Sequence, residues 1–294
     1  MNTTRQRRLK KFRVFYLMFL PVAAYFIIFT YYPFLKGLIM SFQENRLLGV
    51  RPFCGLENYR FVIKEPNFLA SVKNSLIIGL WDMGLYFGFS LVLALILNEV
   101  ANRMVKQSIQ TIAYLPYLFS WAVIGGVWAL IFDLQGLANK FLSLFSVEPI
   151  FFLATPSLAR PLIIAMGVWR SMGYFALLFT VAIMTIDQQL FEAARIDGAG
   201  RFTQITHIII PSLTGTMKTI VVLLSIGVLT HFDEIYVMVN PANRRMIGTL
   251  LLYVYETGIL NFKTGTASAG ATLVMIGTVA ITGLIRKFTG YDEE

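Results

Sequence analysis

VFYLMFLPVAAYFIIFTYYPFL, residues 14–35, runs for 22 positions without a charge. A helix of that size is about 33 Å long, enough to cross the ~30 Å hydrocarbon core of a bilayer. Two more uncharged stretches pass the same test, residues 107–132 (26 long) and residues 264–285 (22 long). Three further apolar runs hold a charge inside or near one end: residues 75–98 with Asp82, residues 161–186 with Arg170, and residues 220–238 with Asp233 and Glu234. The pattern reads as an all-α membrane protein of six transmembrane helices. Residues 246–255 are apolar too, but ten residues are too few to span, and they predict a short helix or re-entrant segment at the surface.

Composition points the same way. Apolar types make up 56% of the 294 residues and charged types 14%, with a mean hydropathy of +0.67. A soluble domain carries ~25% charged residues, so the excess apolar surface belongs in lipid. Six spans of about 20 residues leave little chain for a separate soluble domain. Cys54 is the single cysteine, which excludes a disulfide within the chain and any multi-cysteine metal cluster. With only His207 and His231 beside it, a zinc site is hard to assemble, and no metal is expected. The net charge of +9 would suggest nucleic acid in a soluble protein. In a membrane protein Lys and Arg set orientation and hold anionic membrane lipid, so no nucleic-acid partner is expected.

Orientation follows from the first helix. Arg5, Arg7, Arg8, Lys10, Lys11 and Arg13 precede it, and short basic flanks stay in the cytoplasm. An even number of spans then puts both termini inside. The cytoplasmic pieces hold 13 basic residues and the outer loops 11, so the bias rests mainly on the N-terminus. The chain divides into a basic cytoplasmic N-terminus (residues 1–13), a six-helix domain (14–286) whose cytoplasmic loop covers 187–218, and a cytoplasmic C-terminus (287–294). The first span exceeds the ~7–15-residue apolar core of a signal peptide and lacks a small-residue cleavage pattern, so it is expected to remain as an anchor.

The informative loop is LFEAARIDGAGRFTQITHIIIPSL, residues 190–213. Glu192, Ala193, Ala194 and Arg195 are strong helix formers, Gly198 and Gly200 permit a sharp reversal, and residues 202–210 predict a second short helix before Pro211. Periodicity alone leaves an ordinary amphipathic connector open. The spacing is more specific: Glu192, Ala193 and Ala194, then Gly198, then Ile208, Ile210 and Pro211. It strongly resembles the cytoplasmic coupling loop of the membrane subunits of binding-protein-dependent ABC importers. The form with Asp197, Gly198 and Ala199 resembles the carbohydrate branch, which includes maltose and glycerol-phosphate permeases.

The resemblance extends over nearly the whole chain. Gly55, Leu56, Glu57, Asn58 and Tyr59 are similar to the family's first outer loop, and Leu115 and Pro116 to its third helix. Trp169, Arg170, Gly173 and Tyr174 are similar to its fourth helix, and Phe232, Asp233 and Tyr236 to the end of its fifth. Asp187 stands where many members have proline, and Asn240-Pro241 replaces a frequent Gly-Gly-Pro, a form similar to the branch that imports complex oligosaccharides.

The resemblance implies the type I ABC importer permease fold and a division of labour. This chain and a second homologous permease would form the pore, two ATPase subunits would bind beneath, and an extracytoplasmic solute-binding protein would deliver a carbohydrate. The expected location is the cytoplasmic (inner) membrane of a bacterium or archaeon. The sequence has no G-x-x-x-x-G-K-[ST] phosphate loop, so no cofactor is expected in this chain, and ATP and Mg belong on the partner ATPase. The ATPase-coupling residues implied are Glu192, Ala193, Ala194, Asp197, Gly198, Ile208 and Pro211.

Related sugar permeases line their solute site with the stretch that here holds Arg170, Ser171 and Tyr174, and with positions matching Gly227, Val228 and His231. Arg170 can instead be structural, paired with an acidic group or a helix end in the partner subunit, and His231 a hydrogen-bonded core histidine. Asp82 is a second costly intramembrane charge with no role implied. Tyr117, Trp121 and Trp128 form an aromatic stripe at spacings of four and seven, which suits sugar faces or plain packing. Glycerol phosphate remains an alternative solute, since Arg170 would suit an anion. An intramembrane enzyme is disfavoured, because no nucleophile–base pair or metal-ligand set recurs in the spans. The topology has a direct test: a cysteine placed in residues 187–213 should react with an impermeant thiol reagent only from the cytoplasm, and Cys54 only from outside. Labelling near Gly198 from outside would overturn it.

Overall fold

The computed structural model describes residues 3–46 and 49–291. The side chains of the basic run at positions 5–13 and residues 292–294 of the expected C-terminal segment lie outside the described residues. The helices are α1 (Phe15–Met40), α2 (Glu57–Lys64), α3 (Pro66–Glu99), α4 (Arg103–Leu118), α5 (Trp121–Ile131), α6 (Leu137–Ser143), α7 (Pro156–Met184), α8 (Gln188–Ile196), α9 (Arg201–Ser212), α10 (Thr214–Gly227), α11 (Asp233–Met238), α12 (Leu250–Leu260) and α13 (Thr264–Thr289).

Four of these, α1, α3, α7 and α13, are long and apolar enough to span as single helices. The other two predicted spans take a different form. Residues 107–132 are divided between α4 and α5, which meet at 101°, because Phe119 and Ser120 leave the helical region and Ser120 caps the next helix through Val123 N. Residues 220–238 are interrupted after Gly227, and the apolar helix begins earlier, through α9 bent by 63° into α10. With each bent pair taken as one span the total reaches six. The apolar segment near residue 250 is the short helix α12, as its length requires.

Contacts divide the chain into two units. The first comprises residues 1–63 and 255–272. Within it α1 opens into one π-helical turn at Ile27–Tyr31 just before Pro33, whose ring and missing N–H disturb the regular ladder at that point. Asn58 ties the loop after α1 together by donating to the carbonyls of Ser41 (3.0 Å) and Gln43 (2.8 Å), while Asn45 exchanges hydrogen bonds with Thr266.

The second unit, residues 64–254 and 273–294, holds the larger core. The long helix α3 packs along α7, with Ile78, Leu97, Ile163 and Phe179 fully enclosed. Proline at the first turn of both helices suits positions that need no N–H partner. Asn74 and Ser75 of α3 then bind the chain around residue 248: Asn74 donates to the carbonyls of Arg245 and Gly248, and Ser75 Oγ accepts from Leu250 N at 2.9 Å. Arg160 of α7 joins them, donating to Asn74 Oδ1 and to Met246 O, both at 2.8 Å.

Two glycines set the closest helix approaches. A Cβ on Gly79 would lie 2.2 Å from Val228 O, and one on Gly173 would lie 2.0 Å from Ala113 O. Backbone cannot yield as a flexible side chain does, so Gly173→Val should push α4 off α7. We expect a loss of at least ~1–3 kcal/mol, read as a lower thermal midpoint of the detergent-solubilised protein. An unchanged midpoint would contradict the tight crossing.

Candidate functional site

Arg170, Asp82, His231 and Glu234, inside the second unit, lie at two of its breaks. The first break is the α4–α5 bend. A helix C-terminus leaves carbonyls without partners and carries partial negative charge, both of which lipid cannot satisfy. Arg170, on α7, answers this directly. Its Nη2 donates to Phe119 O (3.2 Å) and Tyr117 O (3.4 Å), and its guanidinium lies over the rings of Trp121 (4.6 Å) and Tyr117 (5.1 Å). Tyr174, four residues along the same face of α7, stacks on Tyr117 with centroids 4.4 Å apart and planes 10° from parallel. Arg170 thus has a helix end of its own chain as partner. Tyr117 and Trp121 sit on opposite sides of the bend instead of on one stripe, and Trp128 packs edge-on to Trp169.

The second break is the non-helical segment between α10 and α11, residues 228–232. His231 lies in it, and both ring nitrogens are engaged by carboxylates. Nε2 faces Asp82 Oδ2 of α3 at 3.5 Å, and Nδ1 makes a short contact with Glu234 Oε1 of α11. The His231 carbonyl accepts from Thr249 Oγ1 at 2.8 Å. Tyr86, one turn further along α3, is buried, and Gly167 of α7 gives it room, since a Cβ there would meet the Tyr86 oxygen at 2.2 Å. A polar chain therefore runs from Asp82 on α3 through His231 to Glu234 on α11.

The third feature is the turn between α8 and α9. Asp187 accepts from Gln189 N at 2.9 Å and so caps α8. At the other end Gly198 has φ +76°, its N–H donates to Arg195 O, and Ala199 N donates to Ala194 O at 2.8 Å. This is the Schellman arrangement, in which a left-handed residue closes the helix and satisfies its last carbonyls. Phe191 is buried, whereas Glu192, Ala193, Asp197 and Gly198 are exposed, Ala194 and Ile208 are half-buried, and Pro211 is exposed. Ile196 and Phe202, on either side of the turn, are 87% and 78% exposed.

Of the residues assigned to a solute site, Arg170 and Tyr174 come together around Tyr117, and Ser171 is buried. Val228 is buried on Gly79, His231 is held between two acids, and a Cβ on Gly227 would meet no atom within 4 Å. Sequence reasoning gave no role to Glu234, Tyr86 or Gly79. The available signal was the ionisable residue itself: an acid within an apolar run needs a partner, and His231 lies three positions from Glu234.

A family model described as binding-protein-dependent transport system inner membrane component matches residues 87–289. The polygalacturonan/rhamnogalacturonan transport system permease protein YteP of Bacillus subtilis (strain 168) is 31% identical over 93% of this chain and 88% of its own. Among solved structures, a chain of a bacterial ABC transporter involved in the import of the acidic polysaccharide alginate superposes with a TM-score of 0.90 at 25% identity, covering 97% of this chain and 98% of that one. A second structure, the alginate transporter in complex with an alginate pentasaccharide-bound periplasmic protein, gives a TM-score of 0.89 at 26% identity over 96% of both chains.

The bend geometry makes Arg170 a test case. Arg170→Ala removes a charge-assisted hydrogen bond worth ~1.5–3 kcal/mol and two ring contacts, so stability in detergent should fall along with transport. Loss of transport with an unchanged thermal midpoint would instead make Arg170 a residue for solute alone.

Proposed function

The chain belongs to the family of binding-protein-dependent transport system inner membrane components, and from that premise we propose that it carries an oligosaccharide through an ATP-driven importer. It is a multi-pass permease subunit of the inner membrane and not an enzyme. The solute reading draws on the relatives, whose names concern polygalacturonan, rhamnogalacturonan and alginate. Glycerol phosphate is the weaker reading, because the guanidinium that would favour it is already bound to two carbonyls.

The complex we propose contains this chain, a second homologous permease, two ATPases that bind ATP and Mg, and an extracytoplasmic solute-binding protein. Both termini and residues 187–218 face the cytoplasm in this arrangement. Solute passes along the faces of α7 and α10, where Tyr174 and Gly227 present to it and Arg170, Ser171, Val228 and His231 form the wall behind. Closure of the ATPases is transmitted through Glu192, Ala193, Ala194, Asp197, Gly198, Ile208 and Pro211, so that the path opens alternately to the two sides.

The observation that carries this reading is the rigid, exposed turn at Gly198, with Ile196 and Phe202 turned outward beside it. Exposed apolar side chains on a turn closed by its own hydrogen bonds suit insertion into a cleft of another protein. The test uses the four-subunit complex in proteoliposomes with its binding protein. ATP should drive uptake of labelled trigalacturonate or maltotriose but not of glycerol 3-phosphate. Uptake of glycerol phosphate alone would overturn the solute class. Gly198→Val puts a branched residue at positive φ, a cost of roughly 1–2 kcal/mol, and should depress solute-stimulated ATP hydrolysis with membrane insertion intact. Full stimulation in that variant would remove the turn from coupling.

A further inference from the structure

The five residues between α10 and α11 have two unlike faces. Val228 and Leu229 are buried, Val228 against the Gly79 contact on α3, while Thr230 is exposed and Gly227, just before the break, has open space at its Cβ. Non-helical backbone at membrane depth persists only where protein encloses it or where it lines a water-filled cavity. Here α3 supplies the enclosure on one side. Asp82 lies midway along that 34-residue helix, so the charged cluster is placed well inside the span.

The charges need an explanation of their own. Asp82 is 3% exposed, Glu234 8%, and the side chain of His231 12%. One oxygen, Asp82 Oδ1, has no hydrogen-bond partner among the described residues. Packed apolar side chains hold helices together at least as well as a buried ion pair, so stability alone does not account for the trio. What charges add is direction. Contacts at both ring nitrogens fix the plane of the imidazole, and with Thr249 on the carbonyl they fix the backbone of residue 231 as well.

We propose that Asp82 and Glu234 are positioning residues for transport: gripping His231 from α3 and α11, they hold the break open so that Gly227 and Thr230 face the solute path. This rests on the reading of Gly227 as part of that path. Without the grip, the freed segment continues the helix of α10. Thr230 already stands one turn above Gly227, its N–H donating to Gly227 O at 3.0 Å, and continuing the helix adds residue 231 at the next position of that face, where it covers Gly227.

The experiment reads accessibility, which does not depend on knowing the solute. The assembled four-subunit complex carries Cys54→Ser and Gly227→Cys and is reconstituted in vesicles. A charged methanethiosulfonate reagent is the probe. We expect labelling in this reference, and slowing by about tenfold or more in Asp82→Asn, Glu234→Gln and His231→Ala, the factor for one charge-assisted hydrogen bond. The double variant Asp82→Asn with His231→Ala should be no slower than either single one, since both act through the same ring. A general loss of packing would slow labelling additively, and that result, or unchanged rates in assembled complexes, overturns the proposal. Failure of all the variants to assemble also overturns it, making the cluster a determinant of folding. Absent labelling in the reference itself removes Gly227 from the path, and the solute-path reading falls with everything built on it.

Discussion

Lipid offers no hydrogen bonds, and this chain interrupts two of its spans within reach of lipid. Each interruption exposes carbonyls or bends the backbone out of register, and each is settled by an ionisable side chain delivered from a different helix. At the α4–α5 bend a guanidinium from α7 covers the helix end. At the α10–α11 break a carboxylate from α3 and one from α11 hold the imidazole. The charges look costly when counted singly, at ~2.5–3.5 kcal/mol each on insertion scales. Counted with the backbone they serve, they are what allows the broken helices to exist.

The same helix, α3, organises the second unit from end to end. Asn74 and Ser75 hold the chain near residue 248, Gly79 receives Val228, Asp82 receives His231, and Tyr86 packs against Gly167. After the adjacent Asn74 and Ser75 these positions fall three or four residues apart and share one face of the helix. Leu80, Trp81, Phe89 and Val92 of the same helix are exposed and apolar, which suits them to lipid. Polar residues therefore line the inside of the bundle, the reverse of a soluble helix.

The turn at Gly198 was readable from the sequence because everything that makes it is local. A capping Asp187, helix formers, and a glycine at the left-handed position all lie within about a dozen residues. The spans were readable as apolar runs, but their breaks were not. Residues 107–132 are as uncharged as a continuous helix would be, and Pro116 marks a kink or a break without fixing its angle. The residue that stabilises the bend, Arg170, lies some fifty positions away in sequence. His231 presents the same difficulty, because the acid opposite it comes from α3, so its surroundings are a property of tertiary packing.

The Asp82–His231 contact also bears on biogenesis. A membrane protein is threaded into the bilayer in the order it is made, and a stretch holding His231, Asp233 and Glu234 partitions poorly into lipid by itself. When that stretch emerges, α3 has already been synthesised, with an acid facing the bundle interior. The early helix thus supplies a polar partner for His231 as the late stretch enters. Synthesis order and charge placement work together, and the segment least suited to the membrane enters it last among its partners.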